Sequence, residues 1–113
     1  MDIILILKIV SALATAGTGL LALVKPEAVY GFIGLNANGV RGKSEIRSIF
    51  GGLFIGLGLA PFWLGTPAYQ MLGIGYLAIA AARVFSILFD KSYAQSNIIS
   101  LVIEIMLGFF LVL

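Results

Sequence analysis

The 113-residue chain contains no cysteine and no histidine. Their absence excludes disulfides, thiolate nucleophiles, zinc sites of the usual kind and His-ligated haem. Charge is scarce as well. Only 11% of the residues are charged and 61% are hydrophobic, whereas a soluble domain is about a quarter charged. A soluble fold this apolar has too few charges to cover its surface, but a bilayer accepts apolar outward faces. The mean hydropathy of +1.14 agrees. A net charge of +2 is too small to argue for nucleic acid, despite a pI near 9.2. No cofactor and no nucleic-acid partner are expected; the lipid bilayer is.

What is present is a set of apolar runs: Ile3 to Val24, Ile46 to Leu64, Ala68 to Phe89 and Asn97 to Leu113. Spanning the hydrocarbon core takes roughly 17–25 mostly apolar residues, and all of these runs qualify. The expectation is one transmembrane domain over residues 1–113, all-α, an integral membrane four-helix bundle. The punctuation agrees. Lys25-Pro26 stops the first run, since proline cannot continue a helix unkinked. Ser44, Thr66 and Ser96 stand where N-caps would precede the later runs. Pro67 suits a first helical turn, and Pro61 predicts a small kink near the end of the second helix. Ala12-Leu13-Ala14 imitates a signal-peptide cleavage site, but Asp2 and Lys8 are out of place in such a leader, so a retained helix is expected.

Orientation follows from the basic residues. Lys25, Arg41, Lys43 and Arg47 flank or fill the first loop and Lys91 the third, while Gly65 to Pro67 carries no charge. The positive-inside rule then puts loops one and three in the cytoplasm and both termini outside. Lys8, about two turns into the first helix, is expected to snorkel to the interface. Glu27 to Gly34, with Tyr30 and Phe32 at headgroup level, reads as a short interfacial helix. Asn36 to Gly39 reads as a turn.

Small residues recur every fourth position. The second run carries Gly52, Gly56 and Ala60, the third Ala78, Ala82 and Ser86, the first Ser11, Thr15 and Gly19. Such ridges let helix backbones approach closely. They are expected to pack the bundle internally, with dimerisation as the sharper alternative.

Arg83 and Glu104 lie inside apolar runs. Both are about 9–10 Å from the same membrane face at 1.5 Å per residue, on antiparallel neighbours across a short loop. A lone charge at that depth costs about 2.5–3.5 kcal/mol or more, so the two are expected to pair. Arg47 and Glu45 enter the second helix from the same face and are expected to join them. That cluster is either a lock on the fold or a site for an anionic headgroup, a quinone or a proton.

Ala37 to Ser44 falls one glycine short of a P-loop and is followed by a membrane run rather than a soluble helix, so no nucleotide site is expected. Lys43 is read as a charge anchor. No nucleophile–base pair or metal-ligand set is visible, and no enzymatic activity is expected.

Arg41 to Gly58, with Ser44-Glu45-Ile46-Arg47 followed by Gly51-Gly52 and Gly56, resembles a bacterial family of small four-helix membrane proteins classed as a domain of unknown function. Ala82-Arg83 to Asp90 and Pro26 to Gly34 carry the same resemblance. The family is similar to the wider DoxX-type group, which implies a four-helix bundle in the bacterial inner membrane and hints at redox or membrane-complex partners. It implies no catalytic residues. The helix count also resembles small multidrug transporters, but their helix-one carboxylate is missing and Lys8 stands in that helix instead. Two functions compete. One is an accessory or self-associating interaction subunit, as a homo-oligomer or in a larger membrane complex. The other is a binder or transporter of a small amphipathic molecule (lipid headgroup, quinone or organic ion) at the Arg47, Arg83, Glu104 cluster.

Overall fold

A computed structural model describes residues 2–113, and all its regular structure is helical. Helix α1 spans Ile3–Val24. The Asp2 side chain accepts the Ile4 N–H at 3.1 Å, satisfying one of the orphan donors of the first turn. Lys25-Pro26 ends the helix. A 3-10 turn, Pro26–Val29, and the single-turn helix α2, Tyr30–Ile33, follow. Gly34 closes α2 at φ 74°, a left-handed conformation that glycine adopts without a Cβ penalty. A short helix therefore stands where the Glu27 to Gly34 pattern suggested one.

Helix α3 runs from Gly39 to Leu64 and therefore starts well before Ile46. The Arg41–Glu45 ion pair, one turn apart, supports its polar first turns. Ser44 consequently lies inside the helix and caps nothing; Asn38 is the flanking residue. From Ile46 to Leu53 the helix widens into a π stretch. At Ala60 it breaks and restarts at Pro61, because the proline lacks an N–H and cannot close the preceding turn. Helix α4 spans Thr66–Asp90 and α5 spans Gln95–Val112. Their flanking residues are Gly65 and Ala94, so Thr66 and Ser96 sit in the first turn rather than at the cap. Four of these helices, all but α2, are long and apolar enough to cross a membrane.

The helices pack as two antiparallel hairpins, α1 with α3 and α4 with α5, joined mainly where α1 meets α5. The result is flattened, 44 × 32 × 17 Å. The inner face of α1 repeats every three or four residues: Lys8, Ser11, Ala12, Thr15, Gly19 and Ala22 are buried. Lys8 thus starts from the inner face and is only 8% exposed, with its ammonium not sealed away from the surface.

The small residues fall on two kinds of face. In the first hairpin the close approach is made by Gly19, Gly51 and Gly58. A Cβ on Gly58 would stand 2.6 Å from the Ala16 nitrogen, and one on Gly19 2.7 Å from the Gly51 oxygen. In the second hairpin Gly73 and Gly108 face one another in the same way, a Cβ on Gly73 lying 2.9 Å from the Gly108 oxygen. The ridge expected to do this, Gly52, Gly56 and Ala60, does not. Gly52 and Gly56 are exposed, Ala60 is partly so, and a Cβ on Gly56 would meet nothing within 4 Å. Ala78 and Ala82 are exposed as well. Gly51 and Gly58 are seven apart, two turns of an ordinary helix, which brings them to one face and turns Gly52 and Gly56 away.

Candidate functional site

The deepest polar feature joins the second hairpin. Arg83 of α4 and Glu104 of α5 meet side on: Nε donates to Oε1 at 2.8 Å and Nη2 donates to Oε2 at 2.6 Å. This two-point geometry suits a planar guanidinium and uses both carboxylate oxygens. The Glu104 side chain is 11% exposed and that of Arg83 28%. Taking such charges out of water is costly, and the cost is offset only when geometry is good and the remaining donors are satisfied. They largely are: Arg83 Nη1 donates to Asn97 Oδ1 at 2.7 Å. The Asn97 amide then donates to the Ser92 carbonyl and hydroxyl, each at 3.0 Å. A polar ladder therefore climbs from the α4–α5 loop into the apolar part of the second hairpin.

A second polar contact lies deeper, near mid-span. Tyr76 of α4 and Thr15 of α1 share a hydrogen bond of 2.5 Å between their hydroxyls. Thr15 also donates to the Ser11 carbonyl at 2.8 Å, so Tyr76 is the donor in the pair. This is the one polar tie between the hairpins at that depth among the described residues.

Sequence reasoning missed Asn97, Ser92, Tyr76 and Thr15 as parts of this network. The signal was available: Tyr76 and Arg83 are seven apart, as are Asn97 and Glu104, and seven residues return to one helix face.

Arg47 and Glu45, expected beside this pair, are elsewhere. Arg47 Nη1 donates to the Leu23 carbonyl at the end of α1. Glu45 takes Arg41. The reason is the hairpin order: α3 packs on α1, and α1 rather than α3 meets α5. Equal depth therefore does not bring the groups together. Lys43 pairs with Glu27 at 3.1 Å. The Glu27 carboxyl is held below its usual range by its own backbone N–H first and by Lys43 second. Gly39 to Lys43 is helical, so no glycine loop exists there to cradle a nucleotide.

Between α3 and α4 lies a cleft of about 300 Å³. Phe54 and Leu57 form one wall, Met71, Gly75 and Ile79 the other, with Thr15 and Tyr76 at the back. The two helices are joined through Gly65 but touch little beyond it. The cleft is apolar and sits at the low end of small-molecule sites by volume.

A family model described as domain of unknown function DUF4345 matches residues 3–113. The chain belongs to that family. The match covers all five helices of this DUF4345 protein, so both hairpins and the Arg83–Glu104 pair lie within the family's domain. No curated protein and no solved structure gives a match.

Proposed function

We propose that this DUF4345 protein is a self-associating or accessory interaction subunit of a membrane complex, without enzymatic activity of its own. The observation that carries the proposal is the outward ridge of Gly52, Gly56 and Ala60. Small residues four apart on a membrane helix let a second backbone come close, and in lipid such packing is a main source of helix association. Its own bundle leaves that ridge unused. The Arg83–Glu104 pair supports the same reading, because its oxygens are spent on internal contacts and it serves as a lock. The bacterial inner membrane, the DoxX-type grouping and an orientation with both termini outside belong to the proposal. They rest on the short motifs and on the loop charges.

A ready test exists because the chain lacks cysteine. A Gly56→Cys variant in native membranes should form an oxidised dimer, whereas an Ile105→Cys variant on the outer side of α5 should not. Gly56→Leu should keep the monomer's melting temperature, since open space surrounds that position, and should abolish association in single-molecule photobleaching. A single bleaching step for the unmodified protein at all densities would refute self-association.

A second reading has one observation in its favour. The apolar cleft between α3 and α4 opens at mid-span, where an amphipathic molecule could enter sideways from the bilayer. A binder would then work there and not at the Arg83–Glu104 pair.

A further inference from the structure

A different group of side chains is unspent. On the first turns of α3, Lys43, Ser44, Arg47 and Ser48 line an open hollow of about 460 Å³ with Val40 at its edge. Their spacing of one, three and four residues places them on one broad face of a helix. All four are donors, and each retains donor capacity. Arg47 gives one of its five N–H groups to the Leu23 carbonyl, and Lys43 one of its three to Glu27. The hydroxyls are the clearest sign. Ser11, Thr15 and Thr18 all donate to the carbonyl four residues back, the usual resting place of a helical hydroxyl. Ser44 and Ser48 make no hydrogen bond among the described residues. Two cations and two free hydroxyls around one hollow suit an anion with several oxygens.

Depth decides the source of that anion. From Leu64 at the far end of α3, Arg47 is about 25 Å and Lys43 about 31 Å along the axis at 1.5 Å per residue. A hydrocarbon core is about 30 Å thick, so the hollow lies where headgroups begin. Among the described residues Glu27 is the one carboxylate paired with the cluster, and it offsets one of the two cations, leaving a net positive charge. We propose that this hollow is a binding site for the phosphate of an anionic phospholipid headgroup. It is held by Lys43 and Arg47 and oriented by the Ser44 and Ser48 hydroxyls. Basic pockets beside membrane helices bind anionic headgroups by the same physics. The site continues the line of the ridge toward the headgroups, Ser44 and Ser48 preceding Gly52 at the same spacing of four, but it does not require self-association and shares no residue with the α3–α4 cleft.

The test is native mass spectrometry of the full chain, released from nanodiscs containing phosphatidylglycerol and phosphatidylcholine. The unmodified protein should retain phosphatidylglycerol. Lys43→Gln and Arg47→Gln should each weaken retention about fivefold, and Ser44→Ala with Ser48→Ala should weaken it without altering net charge. Lys91→Gln, which removes one charge on another loop, should leave it unchanged. Circular dichroism of Arg47→Gln checks the fold, and the double serine variant, at exposed positions, keeps the test decisive if Arg47→Gln fails to fold. Retention of both lipids alike, or equal loss in Lys91→Gln, would overturn the proposal. Displacement of the lipid by millimolar inorganic phosphate would overturn the lipid assignment in favour of free phosphate.

Discussion

The two hairpins are held together by different means. The first, α1 with α3, has no ion pair along its membrane-spanning contact among the described residues, and rests on Gly19, Gly51 and Gly58. The second, α4 with α5, uses the same device at Gly73 and Gly108 and adds the Arg83–Glu104 pair with Asn97 behind it. In lipid, apolar side chains gain nothing by leaving their surroundings, so helices associate through close packing or polar contacts. The first hairpin depends on fit, and fit fails abruptly when one atom is added. The second has a backup, and a backup should make its losses graded.

The comparison can be broken most directly at Gly58. A Cβ there meets the backbone of α1 at Ala12 and Ala16, which cannot rotate away as a side chain would. Gly58→Leu should cost about 3 kcal/mol or more and separate α1 from α3, read as lost protease resistance of the first hairpin in detergent. The neighbouring Gly56→Leu should be silent in the same assay. If both are silent, the fit argument for the first hairpin falls.

The second hairpin should respond in a graded way. Glu104→Gln leaves Arg83 without its carboxylate and should destabilise by about 2–3 kcal/mol. Arg83→Gln should do similar harm, and the double variant should recover part of the loss, since two neutral amides can bond each other. Thermal melts of the four proteins in one detergent give this cycle. Strictly additive losses would show that the pair is not a lock.

The smallest effect sharpens the contrast from outside the membrane. Glu27–Lys43 ties the loop after α1 to α3 across an exposed gap. The Glu27 carboxyl is depressed in the folded state, so its contribution is present above its unfolded pKa. It is lost as pH falls through the lower folded value. Acidification should therefore loosen this loop slightly without separating the hairpins, measurable as amide exchange at Ala28 to Tyr30. Exposed pairs contribute little, and a large acid-induced unfolding of α1 from α3 would contradict the packing account.

Much of the architecture was legible in the sequence. The apolar runs located four spans because a bilayer sets their length, and Lys25-Pro26 marked the first helix end. Arg83 and Glu104 were legible as neighbours from depth alone, since a short loop makes α4 and α5 antiparallel partners. Depth gave the wrong answer for Arg47 and Glu45 because it says nothing about which helix stands beside which. The glycines misled for a related reason. Gly51, Gly52, Gly56 and Gly58 offer more than one small-residue face on one helix, and only the arrangement of α1 selects between them. The helical start at Gly39 was hidden because Arg41, Lys43 and Glu45 look like loop residues, whereas at a membrane surface a polar turn remains helical.

Gly65 links the two halves of the molecule at φ 79° and ψ −150°, a backbone region that is essentially restricted to glycine. One residue thus bears the whole covalent connection between hairpins that otherwise meet mainly where α1 packs on α5 and at the Thr15–Tyr76 hydrogen bond. The chain should therefore be divisible at that point: two fragments cut there and made separately are expected to dock with one another. Gly65 keeps their stoichiometry at one to one.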